Sequence, residues 1–256
     1  MITGVLLDIS GVLHEGDKAV PGAAEAVQRL HAAGLPVRFL TNSTRRSKRR
    51  LIEELAAFGI GVAPDEVFTP VAAARAWLDE NGHVPHLLIH PGLEEDFADC
   101  GTEGPVAVVV GDAADRFSYQ NMNNAFRALQ DGAPFLALAA NRVFRDKDGL
   151  LSLDAGPFVH ALEYASGTKP ILFGKPEADF FRATVASMGC DPALAVMIGD
   201  DAESDVAGAL AAGIGLGILV RTGKYRDGDE DRVDPRPSAV VADVGEAVDL
   251  ILSERG

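Results

Sequence analysis

A chain of 256 residues is long enough for one large domain or two modest ones, and 47% apolar with 24% charged residues is the balance of an ordinary globular protein. The formal charge of −15 argues against nucleic acid as a partner, because a phosphate polymer is held by a basic face. An anionic substrate would therefore need a positive field made locally, by a metal ion or a well-placed lysine.

The only cysteines, Cys100 and Cys190, are far apart, which fits a reducing compartment without a disulfide framework or a structural zinc site. Met1 to Asp8 has neither a basic leader nor a small-residue cleavage site, and no apolar stretch approaches the roughly 20 residues of a membrane span. The expected location is the cytoplasm.

In chain order, Val5-Leu6-Leu7 reads as a short buried strand ending at Asp8. Pro21 opens an amphipathic helix through Leu30 that Gly34 closes, with proline just inside the start and glycine just past the end. Val37 to Leu40 is a second strand ending at Thr41-Asn42, and a charged helix from about Ser43 to Phe58 follows. The last third repeats the arrangement. Pro170 to Phe173 leads into Gly174-Lys175-Pro176 and a helix, and Val196 to Ile198 is a strand ending at Gly199-Asp200-Asp201. A further helix, a strand over Leu216 to Val220, an exposed Asp-, Arg- and Pro-rich loop from Gly223 to Ser238, and a final helix from Val244 to Leu252 complete the chain.

Between about Pro70 and Thr168 there are separate strand signals at His86 to Ile89, Val106 to Val110 and Phe135 to Leu138. Helix signals lie near 71–81, 118–131 and 157–166. The expectation is an α/β protein with a Rossmann-like parallel-sheet core over 1–69 and 170–256, interrupted by a smaller inserted α/β domain over 70–169.

In an open parallel sheet, ligands bind beyond the carboxyl ends of the strands. Those ends carry Asp8, then Thr41-Asn42, then Lys175, then Asp200-Asp201 with Asp205 close behind. Singly these are bland: an aspartate after a strand is more often a cap or turn residue, and Gly-Asp-Asp is a common turn. Together they are the parts of a phosphoryl-transfer site, since magnesium must neutralise the repulsion between a phosphate and a carboxylate nucleophile. Asp8 and Asp200 suffice as carboxylate ligands, and the Ser10 carbonyl is a further one because Gly11 permits a sharp turn. The Thr41 hydroxyl, the Asn42 N–H and the Lys175 ammonium would hold phosphoryl oxygens, with Asp201 and Asp205 orienting the ligands and balancing Lys175.

The segments Asp8-Ile9-Ser10-Gly11-Val12-Leu13, Thr41-Asn42, Gly174-Lys175-Pro176 and Gly199-Asp200-Asp201-Ala202-Glu203-Ser204-Asp205 resemble the four motifs of the haloacid dehalogenase superfamily of phosphatases. The position of the insertion is similar to the large α/β cap of its NagD-like subgroup. Phe117 to Phe126, Ala161 to Ala165 and Arg221-Thr222-Gly223-Lys224-Tyr225 support a narrower placement within that subgroup. The resemblance implies a nucleophile at Asp8, Mg2+ on Asp8, the Ser10 carbonyl and Asp200, and phosphate contacts from Thr41, Asn42 and Lys175. Cap-to-cap homodimers would suit the subgroup.

One departure matters. Most phosphatases of the superfamily carry a second aspartate, acting as general acid and then base, where this chain has Ser10. Serine donates a proton poorly near neutral pH. The expected substrates, small or on a phosphoprotein side chain, are those whose leaving group needs little protonation: pyrophosphate, aryl phosphates, and phospholysine or phosphohistidine. The alternatives are a phospho-accepting receiver module, which is typically about half this length and lacks an insertion, and a phosphate-binding scaffold with little turnover.

Other signals are weaker. The basic run Arg45 to Arg50 is either a solvated helix face or a steering patch. Asn141, after a strand of the insertion, is a candidate substrate contact. Gly217 to Lys224 fails as a phosphate loop, because the spacer is one residue too long and Tyr225 stands where a hydroxyl should hold magnesium.

Overall fold

The computed structural model describes residues 1–145 and 150–253. Its strands and helices alternate. The first part holds β1 (Gly4–Asp8), the hairpin β2 (His14–Glu15) and β3 (Lys18–Ala19), α1 (Ala23–Ala32), β4 (Val37–Leu40), α2 (Lys48–Ala57) and β5 (Val67–Phe68). The middle holds α3 (Pro70–Asn81), β6 (Val84–Leu88), β7 (Val106–Val110), α4 (Tyr119–Gln130), β8 (Phe135–Ala137), β9 (Val143–Arg145), β10 (Leu151–Leu153), α5 (Ala155–Ser166) and β11 (Ile171–Leu172). The last part holds α6 (Ala178–Ala186), β12 (Ala195–Gly199), α7 (Gly208–Ala211), β13 (Leu216–Val220), β14 (Ala239–Val241) and α8 (Val244–Ser253). No helix among the described residues is long and apolar enough to cross a membrane.

The chain divides into two compact units, Met1–Thr41 with Leu51–Phe68 and Lys175–Gly256, and Asn42–Arg50 with Thr69–Gly174. The first is built on a six-stranded sheet in the order β14-β13-β12-β1-β4-β5, with every pairing parallel. All five residues of β1 are buried, as a central strand covered on both faces requires. One face carries Val5, Leu7, Val196, Ile198, Ile218 and Val220 into a core shared with Val27 and Leu30 of α1 and Val248 and Ile251 of α8. Burying each such side chain contributes roughly 1.5–3 kcal/mol.

The second unit has a four-stranded parallel sheet in the order β11-β8-β7-β6. Successive residues of β7 point to opposite faces. Ala107 and Val109 therefore join Val71, Ala74 and Leu78 of α3, whereas Val108 and Val110 join Ala125 and Leu129 of α4 and Val159 and Leu162 of α5. Helix α3 is closed at both ends by local chemistry: the Thr69 hydroxyl accepts the Ala72 N–H, Pro70 occupies the first turn, and Gly82 ends the helix at φ 65°.

Three features depart from the sequence-based expectation. The strand before Lys175 was expected in the core sheet, yet β11 pairs with β8 of the smaller one, Ile171 opposite Leu136. A two-residue apolar run marks a strand but carries nothing that selects its neighbour. Helix α2 starts at Lys48 instead of Ser43, because residues 42–47 make side-chain contacts that compete with a helical start. The hairpin of β9 and β10, with Leu153 opposite Val143, was not expected.

Candidate active site

The register of the six-stranded sheet gathers the motif residues of the first unit. Leu7 lies opposite Ile198, so Asp8 at the end of β1 and Asp200 just past β12 leave the sheet side by side. Asp8 lies opposite Leu40, which places Thr41 at the same edge. Asp8, Lys175, Asp200 and Asp205 are 5%, 6%, 2% and 1% exposed, so their charges act on one another with little screening by water.

Lys175 Nζ donates a hydrogen bond to Asp8 Oδ1 and lies 2.6 Å from Asp205 Oδ1. The second contact is an ion pair without hydrogen-bond alignment. Asp205 Oδ2 accepts the Asp201 N–H at 3.1 Å, and Asp201 Oδ1 accepts the N–H groups of Glu203 and Ser204 at 3.2 and 3.0 Å. These bonds shape a π-helical turn over Ala202–Ala207 that brings Asp205 back beneath the end of β12. Such widened turns are frequent at functional sites.

Carboxylate oxygens of Asp8, Asp200 and Asp205 lie within 4.8 Å of one another. Burial, then the charges of Asp8 and Asp205, push the Asp200 carboxyl up to about 8. Burial likewise pushes Asp205 up to about 6, against the pull of Lys175. Burial opposes the charge of Lys175, yet Asp205 and Asp8 outweigh it and hold the ammonium more firmly protonated than usual. Asp201, which burial alone would raise, is brought below the usual range by Lys224 and the Ser204 N–H. Lys175 thus pairs with two of the three buried carboxylates, while the Lys224 N–H and ammonium oppose the rise of the third, Asp200. An oxygen-only donor set carrying surplus negative charge fits a hard divalent cation such as Mg2+.

The sign of these shifts gives an expected result for metal-free protein. Unfolded aspartates titrate at about 3.9, so between about pH 4 and 8 the native state binds more protons than the unfolded one. In a chelator, stability should fall as pH rises through that window, and added Mg2+ should raise the melting temperature more at pH 8 than at pH 5. A melting profile with no pH slope would remove the electrostatic account.

One part of the site escaped the sequence reading. The Gly223 to Ser238 stretch was expected as an exposed loop, but its start packs on the motif residues. Lys224 N–H donates to Asp200 Oδ2 at 2.7 Å and Lys224 Nζ lies 3.3 Å from Asp201 Oδ2. Thr222 Oγ1 donates to the Gly11 carbonyl at 2.5 Å, and Gly223 N–H donates to Glu15 Oε1 at 2.5 Å. Gly11 at φ 88° and Gly223 at φ 65° face the Asp200 carboxylate so closely that a Cβ on either would collide with it. The signal was present: Thr222-Gly223-Lys224 follows β13, a strand end of the same sheet.

Asn42 and Asn141 belong to the second unit. Asn42 lies against Gly174, whose φ of 94° and lack of a Cβ make room for its Oδ1. Asn141 is exposed, its carbonyl accepts the Gly156 N–H at 2.9 Å, and its side chain bonds the buried Asp154. Two arginines of the basic run are paired with acids of the same unit. Arg45 pairs with Asp112 and stacks 4.1 Å from the Phe144 centroid, Arg49 pairs with Glu95 at 3.1 Å, and Lys48 N–H donates to Asp96 at 3.1 Å. His14, after the first motif, is buried against Phe58 with its Nδ1 3.0 Å from the Gly16 carbonyl.

Residues 5–103 match the family described as haloacid dehalogenase-like hydrolase, and residues 172–247 match a second model described as HAD-hydrolase-like. Over 251 residues the chain is 47% identical to human haloacid dehalogenase-like hydrolase domain-containing protein 2, covering 98% of this chain and 96% of that one. The chain belongs to the haloacid dehalogenase-like hydrolases. It is 42% identical over 257 residues to human phospholysine phosphohistidine inorganic pyrophosphate phosphatase, covering 98% and 94% of the two chains. Among solved structures, p-nitrophenyl phosphatase from Archaeoglobus fulgidus superposes with a TM-score of 0.86 at 27% identity, covering 97% and 99%. NagD from E. coli K-12 gives 0.83 at 27% identity, covering 96% and 98%.

Proposed function

We propose that this hydrolase is a Mg2+-dependent phosphatase in which Asp8 takes the phosphoryl group from substrate and passes it to water. The observation that carries the reading is the buried group of Asp8, Asp200 and Asp205, with Lys175 paired to Asp8 and Asp205. Asp8, the Ser10 carbonyl and Asp200 would hold the cation, which when bound offsets the charge of phosphate and nucleophile together.

The protein's own groups account for the remaining chemistry. An oxygen of Asp8 forms a bond to phosphorus while the bond to the leaving atom breaks, and that atom departs with the electron pair. Water then attacks phosphorus of the aspartyl phosphate, the bond to Asp8 breaks with its electron pair returning to the carboxylate, and phosphate leaves with the water's oxygen and protons. Lys175, bonded to Asp8 Oδ1, fixes the rotation of the carboxylate and sets a permanent positive charge beside it. Asp205 keeps Lys175 in place through its ion pair, and Thr41, Asn42 and Lys175 supply contacts to phosphoryl oxygens as charge shifts. Asn141 is a further proposed substrate contact. Trapping tests the scheme: borohydride added during turnover should convert Asp8 to homoserine, read by mass spectrometry. Unmodified Asp8 under steady turnover would rule the intermediate out.

Ser10 supports a bias toward pyrophosphate and P–N compounds, which the name of one relative includes, and toward aryl phosphates, one of which is in the name of a structural neighbour. A positioned general acid contributes about 10²–10⁴-fold. Ser10→Asp should therefore raise kcat on an alkyl phosphate by a larger factor than on pyrophosphate. An equal change on both substrates would remove the leaving-group argument.

A further inference from the structure

The Thr222 to Lys224 segment makes a set of contacts that the phosphoryl-transfer scheme does not use. Its Lys224 N–H occupies Asp200 Oδ2 at 2.7 Å. The backbones of Gly223 and Gly11 close on the same carboxylate, leaving no room for a Cβ on either residue. Two further bonds hold that closure shut, from Thr222 Oγ1 to the Gly11 carbonyl at 2.5 Å and from Gly223 N–H to Glu15 Oε1 at 2.5 Å. They tie the loop after β13 directly to the loop after β1. Asp200 is therefore gripped by peptide groups from two segments 212 residues apart in sequence, counted from Gly11 to Gly223.

We propose that Thr222, Gly223 and Lys224 form a positioning clamp that makes Asp200 a one-oxygen ligand and so selects a small octahedral cation over calcium. With Oδ2 committed to the Lys224 peptide, Oδ1 is left to meet a cation, and the carboxylate has no room to turn and offer both oxygens. Mg2+ demands compact octahedral coordination, whereas Ca2+ takes six to eight oxygens and accepts carboxylates two oxygens at a time. Fixing a ligand through its outer partners typically matters by 10- to 100-fold in metal affinity. This inference rests on the reading of Asp200 as a metal ligand.

The test is direct calorimetric titration of Mg2+ and Ca2+ into the full-length protein, with melting temperatures in chelator reporting on folding. Thr222→Val removes the hydroxyl bond at nearly constant shape and should weaken Mg2+ binding about tenfold or more. Ca2+ binding should fall less, so the Mg2+ preference narrows. Thr222→Ser keeps the hydroxyl and should retain the wild-type preference. Glu15→Ala, at an exposed position, loosens the same loop without touching the core and should move the preference the same way by a smaller factor. A lower melting temperature with an unchanged Mg2+-to-Ca2+ ratio in both Thr222→Val and Glu15→Ala would overturn the clamp. Asp200→Asn separates the two readings. Wild-type Mg2+ affinity in that variant would sink Asp200 as a ligand, whereas lost affinity there with an unaltered ratio in Thr222→Val would sink the clamp alone.

Discussion

Asp8→Asn should lower kcat by about 10⁴-fold or more on every phosphorylated substrate while leaving the fold intact. The amide is close in size to the carboxylate and still accepts the Lys175 hydrogen bond through its oxygen, so packing at the end of β1 is preserved. What it loses is the anionic oxygen that attacks phosphorus. Removing a nucleophile outright costs about 10⁶-fold in well-studied hydrolases, and the residual rate comes from the surrounding binding groups. The substitution also removes one of three buried negative charges, so the metal-free variant should melt higher than wild type at pH 8. Lost turnover with raised apo stability is a signature that misfolding cannot imitate. Retained turnover would mean that another group attacks.

The second large effect is expected at Lys175. This ammonium is buried between Asp8 and Asp205, with side-chain exposures of 3%, 7% and 1%. Lys175→Met keeps much of the stem volume but strands two carboxylates, and breaking a buried pair from one side typically costs about 3–5 kcal/mol. Activity should fall by at least about 10²–10³-fold, the usual loss when one charge-stabilising donor is removed from a site. Adding Asp205→Asn should restore part of the lost stability, because the stranded charge is removed with its partner, and it should restore little activity. Thermal melts and steady-state rates on the two single variants and the double variant measure both. A single Lys175→Met variant as stable as wild type would show that the ion pairs contribute nothing net. Arginine should not substitute, since its planar fork does not fit a space shaped around a point charge.

The residues that make these expectations possible were legible because buried parallel strands are short apolar runs, and a polar residue that ends one is conspicuous. Val5-Leu6-Leu7 ending at Asp8 and Val196-Met197-Ile198 ending at Asp200 are such runs, and both became central strands of one sheet. Helix closure was legible for the same local reason at Gly34, which follows α1 at φ 70°. Asp201 was legible as part of the acid cluster after β12, but its role as the cap of a π-helical turn was not. That turn depends on the Asp201 N–H reaching Asp205 Oδ2 and on Lys175 drawing Asp205 inward.

Local pattern alone therefore determined the fold class, the strand-end residues and the kind of chemistry they suit, since each depends on composition and periodicity within a few residues. Tertiary structure decided what stands beside what. It placed β1 between β12 and β4, so that Asp8 leaves the sheet beside Asp200. It assigned β11 to the smaller sheet and residues 42–50 to the second unit, and it folded Thr222-Gly223-Lys224 over Asp200. Those outcomes depend on pairing and contact between segments far apart in sequence, whose energies come from the neighbour each finds and are not written in either segment.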